Sequence, residues 1–141
     1  MEPIYLFVYG SLRKGFKNHT LLTTSEYHGE YTSVDNFQMI TYKRADFPYL
    51  LEESLDDYPT TIIHGEIYKI SPDVLQKIDR LEDNTKLYQR KIHKFISTDN
   101  QIMEAWVYIL IKPEIISYIS RQINEDYFVI KSGDWYNFNV P

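Results

Sequence analysis

The sequence predicts an α+β fold: a small, mixed, curled sheet of the β-barrel-like kind with helices packed on its outside. Three observations predict it. Thirteen Tyr, seven Phe and two Trp make 16% of the 141 residues aromatic, and these side chains suit the pleated, half-buried surface of a sheet. Apolar stretches of strand length recur along the chain, so strands should outweigh helices. They are interrupted by one strong helical pattern and one shorter one, an order expected of an α+β domain. The length fits a single domain over 1–141, and no repeat, linker or low-complexity tract divides it.

The elements follow in order. Ile4 to Tyr9 is a continuous apolar run between Pro3 and Gly10, the mark of a strand covered on both faces. Asn18 to Leu22 reads as a turn or short helix, and Glu26 to Tyr31 as a returning strand through Gly29. Phe37 to Thr41 and Tyr49 to Leu51 read as short strands flanking Pro48, which cannot donate to a ladder and belongs at an edge or bulge. Ile62 to Ile70 predicts a strand with Ile62, Tyr68 and Ile70 on one face and Ile63 and Ile67 on the other, Gly65 marking a bulge or close approach. Ser71-Pro72 supplies an N-cap and a first-turn proline, and Val74, Leu75, Ile78 and Leu81 follow at helical spacing, so this helix should end near Glu82. Tyr88 to Ile96 and Met103 to Ile111 predict a hairpin across the polar turn Ser97 to Gln101. Pro113 opens a helix carrying Ile115, Ile116 and Ile119. Ser132-Gly133-Asp134 makes the last turn before Trp135, Tyr136 and Phe138, which should close the core.

Composition excludes several functions. Fifteen basic against twenty acidic residues, a net charge of −5, cannot neutralise a run of phosphates, so no nucleic-acid partner is expected. With no cysteine there is no disulfide, thiolate zinc site or cysteine nucleophile. No apolar run approaches the ~20 residues of a membrane helix, and Met1-Glu2-Pro3 lacks the basic start of a signal peptide. A cytoplasmic location without membrane partners is expected.

Candidate chemistry concentrates at two places. Gly10-Ser11-Leu12 follows the first strand, where a glycine turn can aim successive N–H groups at one anion, with Tyr9, Arg13, Lys14 and Gly15 beside it. The same glycine also serves any ordinary bend. No dinucleotide or Gly-Lys-Ser/Thr signature is present. Glu82 lies at the helix end beside Leu81: facing inward it would be a desolvated base, facing outward a solvated charge, and periodicity does not choose. Ser11 with His19, His28, His64 or His93 lacks the Gly-x-Ser-x-Gly context of a hydrolase, and the histidines show no metal spacing, so neither metal nor other cofactor is expected. Tyr88 and Arg90 share a strand face, where Arg90 either clamps a carboxylate ligand or pairs with Glu66 or Glu104.

Taken in order, Phe7-Val8-Tyr9-Gly10-Ser11-Leu12-Arg13-Lys14-Gly15, Asn18-His19 with Leu22, Phe47-Pro48-Tyr49-Leu50, Gly65-Glu66-Ile67-Tyr68, Ile78-Asp79-Arg80-Leu81-Glu82, Leu87-Tyr88-Gln89-Arg90 and Trp106-Val107-Tyr108 resemble the γ-glutamyl cyclotransferase superfamily, in its γ-glutamylamine cyclotransferase or AIG2-like branch. The resemblance implies an enzyme that cyclises a small-molecule γ-glutamyl group to 5-oxoproline and releases an amine, without a cofactor. It implies Glu82 as the catalytic acid/base and Tyr9, Gly10, Ser11, Leu12 and Tyr88 as substrate-binding residues. Asp83-Asn84-Thr85-Lys86 departs from the small or proline-containing residues expected there, which bears on the pocket wall and the substrate. A binding module using the same pocket without chemistry is the alternative, and the presence of Glu82 favours catalysis. The sequence leaves the oligomeric state open.

Overall fold

A computed structural model describes residues 3–43, 47–53, 55, 58–82, 86–123 and 125–136. The first strand, β1 (Ile4–Val8), buries Leu6, Phe7 and Val8 together, as its unbroken apolar run requires. Alternation splits them between two cores. Leu6 and Val8 join the cluster that holds the helical residues Ile78 and Ile119, while Phe7 joins Ile67, Phe95, Val107 and Trp135. The Phe7 and Phe95 rings stack at 4.1 Å.

A short 3-10 helix (Lys17–Leu22) leads to β2 (Glu26–Ser33), whose register slips between Tyr27 and Gly29, the latter at φ +120°. Next come β3 (Gln38–Tyr42), β4 (Pro48–Leu51) and β5 (His64–Ile70). Helix α1 (Pro72–Leu81) leads into β6 (Tyr88–Ser97) and β7 (Ile102–Leu110). Helix α2 (Pro113–Gln122) and β8 (Tyr127–Val129) complete the order. Strands β1-β5-β2-β6-β7 close into a barrel, sealed where Leu6 meets Trp106 in the parallel β1–β7 pair. A second sheet, ordered β4-β3-β8, lies beside it. The predicted mixed, curled sheet with flanking helices is therefore the observed fold.

Three local expectations change. Strand β5 begins at His64, and Ile62, expected on its face with Tyr68 and Ile70, precedes it and stays exposed. Leu81 completes the helical spacing, yet it too is exposed, since α1 buries Val74 and Ile78. Strand β8 carried no clear signal; its three residues are strand because β3 offers Ile40, Thr41 and Tyr42 as ladder partners. Elsewhere chemistry and position agree. Pro48 opens the edge strand of the smaller sheet, where its missing N–H costs nothing. A Cβ on Gly65 would strike the Val8 carbonyl and the Phe7 ring, so β1 and β5 approach closely there. Trp135 is fully buried in the core containing Phe7; Phe138 lies outside the described residues.

Candidate active site

Helix α1 decides where Glu82 stands. Ser71 Oγ accepts from Val74 N at 3.2 Å, and Pro72 sits where a missing N–H is harmless, so the helix starts cleanly. Ten residues later Glu82 is the C-cap, its N–H donating to Ile78 O at 2.9 Å and its backbone already outside the helical region at ψ 0°. The last turn is tied to the barrel by Asp79, which takes a two-pronged ion pair from Arg90, Nε at 2.7 Å and Nη2 at 3.1 Å. The Tyr108 hydroxyl donates to the same carboxylate at 2.5 Å. Arg90 thus pairs with Asp79 rather than with Glu66 or Glu104, because α1 packs over this end of β6, a proximity that strand alternation does not reveal.

The turn after β1 forms the facing wall. Its carbonyls are all engaged: Gly10 O accepts from Arg13 N, Ser11 O from Asn18 N, and Leu12 O lies 3.0 Å from His19 Nδ1. Its N–H groups at Gly10, Ser11 and Leu12 have no acceptor among the described residues. Spent acceptors and spare donors make the loop receptive to an anion. Gly10 itself is not at positive φ; it must be glycine because a Cβ would come within 2.6 Å of the Pro48 ring. Sequence reasoning tied this glycine to a turn, whereas a non-local contact demands it.

Between these walls lies a cavity of about 380 Å³. Tyr9, Gly10, Ser11, Leu12, Glu82 and Tyr88 all line it, so the six residues that the resemblance implies for the site meet at one place, while Arg13, Lys14, Gly15 and Arg90 do not line it. Tyr108, Asn18, Phe47 and Pro48 complete much of the wall without having been singled out for the site. Their signal was present only as membership of the motif blocks. The departure at Asp83-Asn84-Thr85 lies outside the described residues. Glu82 as a residue is half-buried, but protein crowds its carboxyl closely enough that loss of hydration pushes its pKa up to about 7. No described residue gives it a hydrogen bond or ion pair. Burial also holds the Tyr9 and Tyr88 phenols well above their ordinary range, with the nearby Glu82 charge adding to both. The site is therefore a carboxyl poised near neutrality, ringed by neutral phenols, opposite a row of backbone donors.

Ser11 is not part of a hydrolase constellation. Its Oγ accepts from Asn18 Nδ2 at 2.8 Å, while His28 pairs with Glu26 and His93 with Glu52 and Asp35. Arg13 and Lys14 act behind the loop: Arg13 Nε reaches Glu66 Oε2 at 3.3 Å and Nη1 reaches Asp134 Oδ1 at 2.9 Å, while Lys14 N donates to Glu66 Oε1 at 3.0 Å. These contacts brace the turn from the side away from the cavity's lining residues.

A barrel protein with a cavity that gathers a carboxyl of raised pKa and a loop of spare backbone donors has the makings of a small-molecule site. Comparison with known proteins narrows it: residues 6–137 match the family model described as gamma-glutamyl cyclotransferase, AIG2-like, and the chain belongs to that family. Gamma-glutamylaminecyclotransferase A of Danio rerio is 31% identical over 112 residues, covering 74% of this chain and 68% of the relative. The gamma-glutamylcyclotransferase family protein YtfP of Escherichia coli (strain K12) is 27% identical over 135 residues, 92% of this chain and 94% of the relative. The crystal structure of an AIG2-like protein from Mus musculus superposes with a TM-score of 0.67 at 24% identity, covering 82% of this chain and 84% of that one, which shows the shared fold. Family and relatives together indicate a gamma-glutamylcyclotransferase-like enzyme.

Proposed function

We propose that the chain is a γ-glutamylamine cyclotransferase-type enzyme that closes a γ-glutamyl group to 5-oxoproline and releases an amine, with Glu82 as general acid/base. The observation that carries this reading is the Glu82 carboxyl itself, unpartnered in the cavity and titrating near 7. A carboxyl with that pKa is ionised enough at neutral pH to accept a proton and acidic enough to return it. The free N–H groups of residues 10–12 suit the substrate's α-carboxylate, with Tyr9 and Tyr88 walling the chain that folds between them. The α-amino nitrogen, as the neutral amine, attacks the γ-carbonyl carbon, the carbonyl π pair moves onto its oxygen as the C–N bond forms, and the Glu82 carboxylate takes the proton the nitrogen then sheds. The bond to the departing nitrogen then breaks as Glu82 hands that proton over. Nucleophile and electrophile belong to one molecule, so holding it folded supplies much of the acceleration and no covalent enzyme intermediate is needed.

The test is turnover of a panel of γ-glutamyl amines, γ-glutamyl amino acids and glutathione, read as 5-oxoproline. Glu82→Gln should lose roughly 10²–10⁴-fold or more of that turnover with its fold intact. Wild-type turnover by Glu82→Gln would remove the assignment; ligand binding without any 5-oxoproline would leave a binding module in its place.

A further inference from the structure

Three tyrosines stand around Glu82, and the structure distinguishes them by where their hydroxyl protons go. Tyr9, at the end of β1, donates to the Tyr108 carbonyl oxygen at 2.9 Å. Tyr108, on β7, donates to Asp79, whose charge Arg90 balances. Tyr88, at the start of β6, is 4% exposed and lines the cavity, and its hydroxyl has no partner among the described residues. A buried phenol usually finds an acceptor within the fold; this hydroxyl is not sealed in protein and is left open on the cavity, where it can donate to what the cavity holds. The ring is held by its surroundings: it stacks at 6.4 Å with Tyr49 and belongs to the core cluster that contains Ile78 and Tyr108.

From this we infer that Tyr88 is a catalytic hydrogen-bond donor, its O–H directed at the γ-carbonyl oxygen of the substrate and at the oxyanion which that oxygen becomes. The inference rests on the proposed cyclisation. In that reaction both nitrogens exchange a proton with Glu82, so the γ-carbon must lie beside Glu82, and its oxygen needs a fixed donor there. Tyr88 lies close enough to Glu82 for the carboxylate charge to act on its phenol. In the proposed pose the α-carboxylate takes the backbone donors of residues 10–12. Of the other polar side chains of that wall, Asn18 spends an amide proton on Ser11 Oγ, and the Ser11 hydroxyl proton is the rival donor that the Ser11→Ala comparison tests. Charge balances without ionising the phenol: Tyr88 keeps its proton throughout, the amino proton passes to Glu82, and the electron pair on the oxyanion returns to reform the carbonyl as the amine departs. Burial holds the phenol neutral across the working pH range, so it adds no negative charge beside Glu82.

The experiment compares Tyr88→Phe, Tyr108→Phe, Ser11→Ala and Glu82→Gln in the 5-oxoproline assay, with kcat and KM measured separately on the panel's best substrate. Tyr88→Phe, which keeps the ring and its packing, should lower kcat by roughly 10²–10³-fold, the cost of one oxyanion donor, with KM moving much less. Its pH profile should keep the rise near 7, because Glu82 is untouched. Tyr108→Phe, whose hydroxyl is already spent on Asp79, should lose at least tenfold less. Tyr88→Phe within about threefold of wild-type kcat, or Ser11→Ala showing the large kcat loss in its place, would overturn the assignment of Tyr88 while the Glu82 reading stands. Undiminished Glu82→Gln, or a silent wild-type enzyme, would overturn the cyclisation reading and this inference with it.

Discussion

Glu66 and Glu82 are both carboxylates enclosed by the same fold, and their surroundings could hardly differ more. Glu66, on β5 and 2% exposed, accepts from Lys14 N and the Tyr68 hydroxyl through Oε1 and from Arg13 Nε through Oε2, with the Tyr136 hydroxyl 3.3 Å from Oε2. Arg13 lies 3.8 Å over the Tyr136 ring and also holds Asp134, so one buried charge joins the loop after β1, strand β5 and the final turn. Glu82 has a cavity before it and no described partner. The difference separates structural from chemical roles. A fully satisfied buried charge has little left to offer a substrate and much to offer the scaffold, whereas an unsatisfied one destabilises the fold and is free to move a proton.

Mutations at the two sites should therefore act in opposite senses. The largest effect on stability is expected from Glu66→Leu, which strands the Lys14 N–H and the Tyr68 hydroxyl and leaves Asp134 as the one described carboxylate paired with Arg13; a loss of about 3–5 kcal/mol should appear in denaturant unfolding. A loss below about 1 kcal/mol would show that the network contributes little.

Glu82→Gln should stabilise the fold under alkaline conditions. Because the folded-state pKa of Glu82 is raised above its ordinary value, to about 7, the carboxyl binds its proton more tightly folded than unfolded. Stability from this group is thus full below its ordinary pKa of 4.5 and is lost as pH climbs to about 7. The variant should gain on wild type across that window, reaching at most about 3 kcal/mol above pH 8 and less where cavity water screens the charge. Thermal unfolding of both proteins at pH 4 and pH 8 checks the sign; equal differences at the two values would contradict the shift.

A smaller effect is expected at Gly10, where the loop braced by Glu66 meets the cavity faced by Glu82. Gly10→Ala must displace the Pro48 ring, and overpacking of this kind costs about 1–3 kcal/mol. Since Pro48 lines the cavity, kcat/KM should fall with stability. Unchanged turnover would mean that the wall yields elsewhere.

Much of this architecture was readable in the sequence. The unbroken run before Gly10 identified β1, Ser71-Pro72 and the spacing Val74, Leu75, Ile78, Leu81 set α1 although Leu81 turns out exposed, and the two long strand-like runs on either side of the polar turn Ser97 to Gln101 identified the β6–β7 hairpin. These signals are local, so they were legible. The residues picked out for the site share one cavity, but the motif blocks of a family resemblance brought them together, since nothing local connects Tyr9 with Tyr88. Three features were not legible: β8, a strand only because β3 pairs with it; the Arg90–Asp79 pair, made by a helix folding over a strand; and the braced network around Glu66. Each depends on segments distant in the chain meeting in space.

Glu82 shows where the division falls. Capping and helical periodicity determined by themselves that α1 ends near Glu82, and the structure puts its last residue at Leu81 with Glu82 as the C-cap. They left its direction undecided, because a C-cap side chain can face either solvent or core. Only the tertiary structure decided it: the Gly10 turn, β6 and β7 line the cavity with the carboxyl and crowd it, and the partial loss of hydration pushes its pKa up. Hydration is lost to the sum of all neighbours, near and far in sequence, and no pattern within one helix contains that sum.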